Sequence, residues 1–179
     1  MPLIFLLSAL PSVLIGRPWK EALWIYAEQA KNYPSLSLNA PTLYQWLPKD
    51  SFSAVSGAGV LFAAAIIISL IFFVYKTKVA INKDQIIKIS FLFLVSIPFF
   101  LPRMHERYFF PADVFSIVYA FYYPKYFFLP IAMQIISFLS YGPFLFGTSP
   151  NFEILSLGML AIITATAASL FFELYPLKK

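Results

Sequence analysis

The chain has 179 residues, of which 60% are hydrophobic and only 12% are charged. Soluble domains carry roughly 25% charged residues, so this chain has too few polar side chains to coat a water-facing particle, and its composition predicts a membrane protein. The absence of cysteine excludes disulfides, thiolate metal ligands and cysteine nucleophiles. The net charge of +5 arises from basic residues placed singly or in pairs between apolar runs. This distribution differs from the basic stripe of a nucleic-acid-binding protein.

The first fifty residues predict a partial span followed by an external loop. Residues 2–15 are apolar, but they are too few for a full span and lack the basic leader and cleavage site of a signal peptide. We therefore expect residues 1–15 to be the outer part of a transmembrane helix that begins upstream, in a longer protein of which this chain is a C-terminal fragment. Residues 16–50 are expected outside, with residues 19–31 as an amphipathic helix in the membrane interface.

Residues 51–179 predict a helical membrane region. Residues 51–75 carry no charge and are long enough to cross a bilayer. The lysine-containing loop that follows is expected to be cytoplasmic under the positive-inside rule. Lys88 lies one turn into the next span, where its stem is expected to reach the lipid headgroups. Further spans are expected at residues 86–101, 108–123, 126–140 and 154–172. The predicted fold is an all-α, polytopic transmembrane bundle of about five to six spans.

A charged window at residues 102–113 is the strongest candidate site. It holds the single histidine of the chain and two of its three arginines between apolar spans, and charge at membrane depth usually marks function. If the window is helical, Arg103, Glu106 and Arg107 share one face and His105 points away. The guanidinium groups then suit the phosphate of a lipid, with His105 as a hydrogen-bond donor or acid/base group. The alternative is an interfacial loop that anchors to lipid headgroups.

A second window, residues 29–48, combines side-chain amides with aromatic rings. Such groups suit a sugar, because its hydroxyls need hydrogen-bond partners and its C–H face stacks on rings. The candidate contacts to a sugar or acceptor are Gln29, Asn39, Tyr44 and Gln45. The alternative interpretation is a structured loop in which Asn39 and Pro41 set a turn and the aromatic rings anchor the loop to the interface.

Other candidates are weaker. Asp113 is expected to cap the helix after Pro111, and residues 57–59 (Gly-Ala-Gly) form a small-residue patch suited to close helix packing in lipid. One histidine and scattered carboxylates make no metal cluster. We therefore expect neither a metal nor a cofactor.

These two windows resemble segments of a known family. The stretch MHERYFFPADVFSIVYAF (104–121) resembles the late His-Glu-Arg/Lys motif of GT-C superfamily glycosyltransferases, which take sugars from polyprenyl-phosphate or dolichyl-phosphate carriers. The stretch IYAEQAKNYPSLSLNAPTLYQWLP (25–48) resembles an external loop of bacterial mannosyltransferase-like proteins of that group. The resemblance implies that Arg103, His105, Glu106 and Arg107 contribute to the carrier-phosphate site. It also implies a catalytic base in a first external loop, which this chain lacks, so no catalytic base is assigned.

The resulting expectation is the C-terminal segment of an integral-membrane glycosyltransferase with a GT-C-like fold. It would move a hexose, such as mannose or glucose, from a polyprenyl-phosphate carrier to an acceptor hydroxyl. The expected location is a bacterial plasma membrane, with the active site on the external face and the isolated fragment inactive. The expected partners are the lipid-linked sugar and membrane lipids, without nucleic acid. The alternatives are a transporter or flippase of lipid-linked saccharides, and a membrane scaffold without catalytic activity.

Overall fold

The computed structural model describes residues 2–24, 34–77 and 82–175, and the chain divides into two compact units, Met1–Pro34 and Ser35–Lys179. The first unit contains helix α1 (Pro2–Leu14) and a helical stretch over residues 19–24. The rest of the predicted interfacial helix lies outside the described residues. The boundary between the units falls inside the segment 16–50, which the sequence predicts as one loop.

The second unit is almost entirely helical, which confirms the all-α prediction. Two-residue strands β1 (Ser37–Leu38) and β2 (Met104–His105) pair in parallel. Its helices are α2 (Phe52–Lys76), α3 (Lys83–Phe100), α4 (Phe110–Tyr122), α5 (Phe128–Ser140), α6 (Gly142–Phe146) and α7 (Phe152–Leu174). Among the described residues, α2 and α7 are the helices long and apolar enough to cross a membrane.

Local sequence signals set the helix ends. The Asn82 side chain accepts a hydrogen bond from the Gln85 backbone N–H (2.8 Å), and the Gln85 side chain accepts one from the Asn82 N–H (3.1 Å). This capping box starts α3 at the polar loop. Asn151 caps α7 in the same way, by accepting from the Ile154 N–H. Gly147 ends α6 in a left-handed conformation (φ 65°) that glycine adopts without strain.

Helix α3 lies at the centre of the second unit and packs against α2, α4 and α7, while α5 packs against α4 and α7. The largest fully buried side chains in this core include Phe91, Phe99, Tyr119 and Met133. Protein interiors are close-packed, so these buried side chains hold the helices in fixed positions. This compact core fixes the end of the bundle on which the charged window lies.

Lys88 corrects one expectation. Its side chain is buried in the second unit. Its Nζ lies 2.5 Å from the Glu173 Oε2 and 3.0 Å from the Ser169 Oγ, both on α7. The Tyr123 ring centroid lies 4.5 Å from the same ammonium. The prediction of a snorkelling lysine was wrong because α7 supplies a carboxylate at the same depth, and a paired charge tolerates burial.

Candidate functional site

The loop of residues 35–48 has a fixed internal structure. Asn39 adopts a left-handed conformation (φ 51°), and the Ala40 carbonyl accepts hydrogen bonds from the Thr42 N–H (2.9 Å) and the Gln45 Nε2 (2.6 Å). The same Gln45 nitrogen donates to the Ser37 Oγ at 3.0 Å. The structured-loop alternative, in which Asn39 and Pro41 set a turn, fits this geometry. Both hydrogen bonds of the Gln45 Nε2 are made within the loop, so they stabilise the loop. The contact of Gln45 with a sugar stays a prediction.

This loop is docked onto the helix bundle by specific hydrogen bonds. The Tyr44 hydroxyl donates to the Phe100 carbonyl at the end of α3 (2.7 Å). The Ser156 hydroxyl of α7 donates to the Thr42 carbonyl (2.7 Å). The Trp46 Nε1 of the loop donates to a main-chain carbonyl of α7. Burial raises the pKa of Tyr44, so its hydroxyl stays protonated and remains a donor. The loop therefore lies as a cap over the ends of α3 and α7.

The small-residue patch on α2 receives this loop. A Cβ built on Gly59 would lie 2.5 Å from the Tyr44 hydroxyl oxygen and 3.0 Å from its ring carbon Cζ, whereas a Cβ on Gly57 would meet no atom within 4 Å. The patch was expected to pack against another helix. Among the described residues, Gly59 instead makes room for the Tyr44 ring.

The strand pair joins the two sequence windows. Ser37 pairs with Met104, and Leu38 pairs with His105, in a parallel register. The loop and the charged window are far apart in the sequence, yet their backbones are neighbours in the structure. The two segments therefore form one continuous surface at the end of the bundle.

The charged window is not an α-helix, which corrects the expected arrangement of its charges. Residues 104–105 are extended, and Glu106–Phe109 form a 3₁₀ turn before α4 begins. Arg103 and Glu106 therefore do not share a helical face. In the described part of the chain two ion pairs form, Arg17–Glu21 and Lys88–Glu173, and Glu106 belongs to neither. Pairing of β2 with β1 replaces the helix.

Arg103 is held in place by two other segments of the second unit, the loop and the start of α2. Its backbone is left-handed (φ 64°), a conformation uncommon for a residue with a side chain. Its N–H donates to the Leu36 carbonyl (2.7 Å) and its Nε donates to the buried Ser56 Oγ on α2 (2.9 Å). The Phe52 ring centroid lies 4.9 Å from the guanidinium carbon. These contacts fix both the backbone and the plane of the guanidinium group.

His105 and Arg107 follow Arg103 in the same window, and of the three only Arg107 is exposed. Arg107 is exposed, with its guanidinium carbon 5.9 Å from the Tyr108 ring centroid. The half-buried His105 ring meets the same tyrosine edge to face, with centroids 5.9 Å apart. Burial and then the charge of Arg107 lower the pKa of His105, and Glu106 opposes them. His105 is therefore neutral at pH 7.

Asp113 does not cap α4, contrary to expectation. The residue that precedes this helix is Phe109, and no side chain caps it. Asp113 is buried, and its Oδ1 accepts a hydrogen bond from the Ser137 hydroxyl of α5 (2.7 Å), while its main-chain carbonyl accepts from the Gln134 Nε2 (2.8 Å). These bonds tie α4 to α5 just below the charged window.

Tyr141 lies near the charged window, a position that the sequence analysis did not identify. It follows α5, and its pKa is raised first by burial and then by the charges of Asp113 and Glu106, whereas Arg107 lowers it. The tyrosine thus lies within electrostatic range of the window. The missed signal was its position at the end of α5, on the same end of the bundle as the residues before α4.

The four residues predicted as phosphate contacts are close neighbours in the sequence and lie between α3 and α4, beside the loop that carries the exposed Asn39. Gln29 lies outside the described residues. The two arginines of the window, Arg103 and Arg107, carry guanidinium groups of the kind that bind an anion with several oxygen atoms. Among the residues that the structure describes, no group of three or more acidic or histidine side chains is placed to hold a metal ion.

Comparison with known proteins returned no match: no protein-family model, no curated protein and no solved structure is significantly similar to this chain.

Proposed function

We propose that this chain supplies the donor-phosphate site of an integral-membrane glycosyltransferase that takes a hexose from a polyprenyl-phosphate carrier. In this proposal α3, α4 and α5 lie in the bilayer together with α2 and α7. The charged window faces the external side of a bacterial plasma membrane. The resemblance of residues 104–121 and 25–48 to GT-C glycosyltransferases suggests this activity.

The observation that carries the proposal is the fixed guanidinium group of Arg103. A flexible surface arginine loses side-chain entropy when it binds a ligand, whereas a side chain already held by hydrogen bonds and ring contact loses less. The Nε bond to Ser56 and the contact with Phe52 orient the group, and the strand pair orients its backbone. Such preorganisation at the end of an apolar bundle is typical of a binding site and is unnecessary for a headgroup anchor.

The neighbouring residues then have distinct roles. Arg107 is exposed and adds a second cation for the phosphate oxygens. The neutral His105 donates a hydrogen bond through one ring nitrogen. As the sugar–phosphate bond breaks, negative charge grows on the departing phosphate, and fixed cations stabilise that charge more strongly than they stabilise the bound donor. A base that deprotonates the acceptor hydroxyl would have to come from elsewhere in the enzyme.

The test is binding of a fluorescent polyprenyl phosphate to the full chain in lipid nanodiscs. Loss of one charge-assisted contact costs roughly 1.5–3 kcal/mol, so we expect Arg107→Gln to weaken affinity by roughly tenfold to a hundredfold. We expect Arg103→Gln to do the same. Arg17→Gln is the matched control, because this third arginine belongs to the first unit and pairs with Glu21.

Two outcomes would overturn the proposal. Affinities of the Arg103 and Arg107 variants equal to that of Arg17→Gln would show that the window does not hold the phosphate. Movement of a lipid-linked saccharide across vesicles by the complete protein, without sugar transfer to an acceptor, would favour the transporter alternative.

A further inference from the structure

An apolar groove lies between α2, α3 and α7, and it extends from the middle of α3 toward the end of the bundle at which α2 ends and α3 begins. Its volume is about 430 Å³. It is lined by the C-terminal parts of α2 and α7 and by the middle of α3. The main lining residues are Leu70, Phe73, Leu92, Phe93, Ala168 and Phe171.

The chemistry of the groove indicates an aliphatic ligand. Its lining side chains are apolar apart from Thr164, whose hydroxyl donates to the Leu160 carbonyl within α7 (2.8 Å). No lining side chain therefore has a polar group that needs a partner from a ligand. The Phe73 and Phe171 rings stack with centroids 5.8 Å apart and form a flat apolar wall.

The length of the groove matches one leaflet of a bilayer. On α7 it extends from Thr164 to Phe172, which at 1.5 Å per residue is about 12 Å. Half of the hydrocarbon core of a bilayer is about 15 Å thick. An acyl chain that enters from the membrane surface nearer the groove would thus fill the groove within its own leaflet. It would not reach the charged window, which follows Phe100.

Cations lie at this same end of the bundle. The exposed Lys76 is the last residue of α2, two residues beyond the groove-lining Val74, and the exposed Lys83 is the first residue of α3. We propose that the groove binds one acyl chain of an anionic phospholipid, whose headgroup lies at Lys76 and Lys83. This site is independent of the glycosyltransferase proposal.

The proposal is tested with phosphatidylglycerol that carries a photoreactive diazirine on its acyl chain, in phosphatidylcholine vesicles that contain the full chain. Crosslinks are mapped by mass spectrometry. We expect labelling to concentrate on residues 70–74 and 167–172. Ala168→Phe, which fills the groove, should lower this labelling several-fold. Ala161→Phe, at an exposed position of the same helix outside the groove, should leave it unchanged.

The headgroup part has its own arm. Lys76→Gln should reduce the preference for phosphatidylglycerol over a photoreactive phosphatidylcholine, whereas Lys125→Gln, which changes an exposed lysine of the α4–α5 connection, should not. Unlabelled phosphatidylglycerol should compete for the site on the unmodified chain, so the test does not depend on the folding of a variant. Uniform labelling of exposed positions such as Leu61 and Val114, or equal labelling by the two lipids, would overturn the proposal.

Discussion

Replacing Glu173 by glutamine should destabilise the second unit strongly, because it leaves Lys88 as a buried cation without a counter-charge. At 2.5 Å and an effective dielectric constant of about 20, the attraction between the two charges is about 7 kcal/mol. Desolvation of both groups offsets much of it, and loss of one partner of a buried pair costs roughly 3–5 kcal/mol. Since 28% of the Glu173 side chain remains exposed, water solvates it in part, and we expect about 3 kcal/mol.

The assay is reversible unfolding in mixed detergent micelles for the single variants Lys88→Met and Glu173→Gln and for the double variant. Both single variants should be less stable than the unmodified chain, whereas the double variant should recover most of the loss because no buried charge remains. Lys125→Met is the control, because it removes an exposed lysine from the turn that follows α4. Additive losses in the double variant, or a Glu173→Gln protein as stable as the control, would refute the reasoning.

Two further predictions concern the loop and the charged window. Gly59→Ala should destabilise the second unit by roughly 1–3 kcal/mol, because the new methyl group displaces the Tyr44 ring and its bond to the Phe100 carbonyl. Gly57→Ala is the control, and it should be neutral or slightly stabilising because a Cβ at this position meets open space. Equal losses of stability in the two variants, measured by the same unfolding assay, would contradict this account. For His105, the folded-state pKa is lower than the unfolded one, so the unfolded chain binds more protons as pH falls below about 6.5. Stability should therefore decline from pH 7.5 to pH 6, and His105→Gln should reduce that slope; an unchanged slope in thermal unfolding would exclude His105 as its source.

Local sequence patterns predicted the helices well. The uncharged run that became α2 needs no tertiary information, because its composition alone specifies a long apolar helix. Helix α3 begins three residues before the expected span at residues 86–101, at the Asn82–Gln85 capping box, whose residue types favour a helix start. Helix α5 ends at Ser140, which is the expected end of the span at residues 126–140. These features depend on residues a few positions apart, which sequence reasoning can compare directly.

Contacts distant in sequence account for the errors. The window at residues 102–107 contains good helix formers, but pairing of Met104 and His105 with the loop holds it extended. The residues near the window give no sign that the loop is its partner. Likewise, the position of Lys88 suggested a headgroup contact, because its partner Glu173 lies at the far end of the sequence. The role of Ser56 in orienting Arg103 was invisible for the same reason.

The attachment of Arg103 to two other segments, the loop and the start of α2, limits how far its sequence motif can be transplanted. Its backbone conformation depends on the Leu36 carbonyl and its side-chain orientation on Ser56 and Phe52, none of which belongs to the motif itself. A chimaera that received residues 102–109 alone would inherit the charges and lose their geometry. Successful grafting would have to carry the strand at residues 37–38 and the first turns of α2 as well.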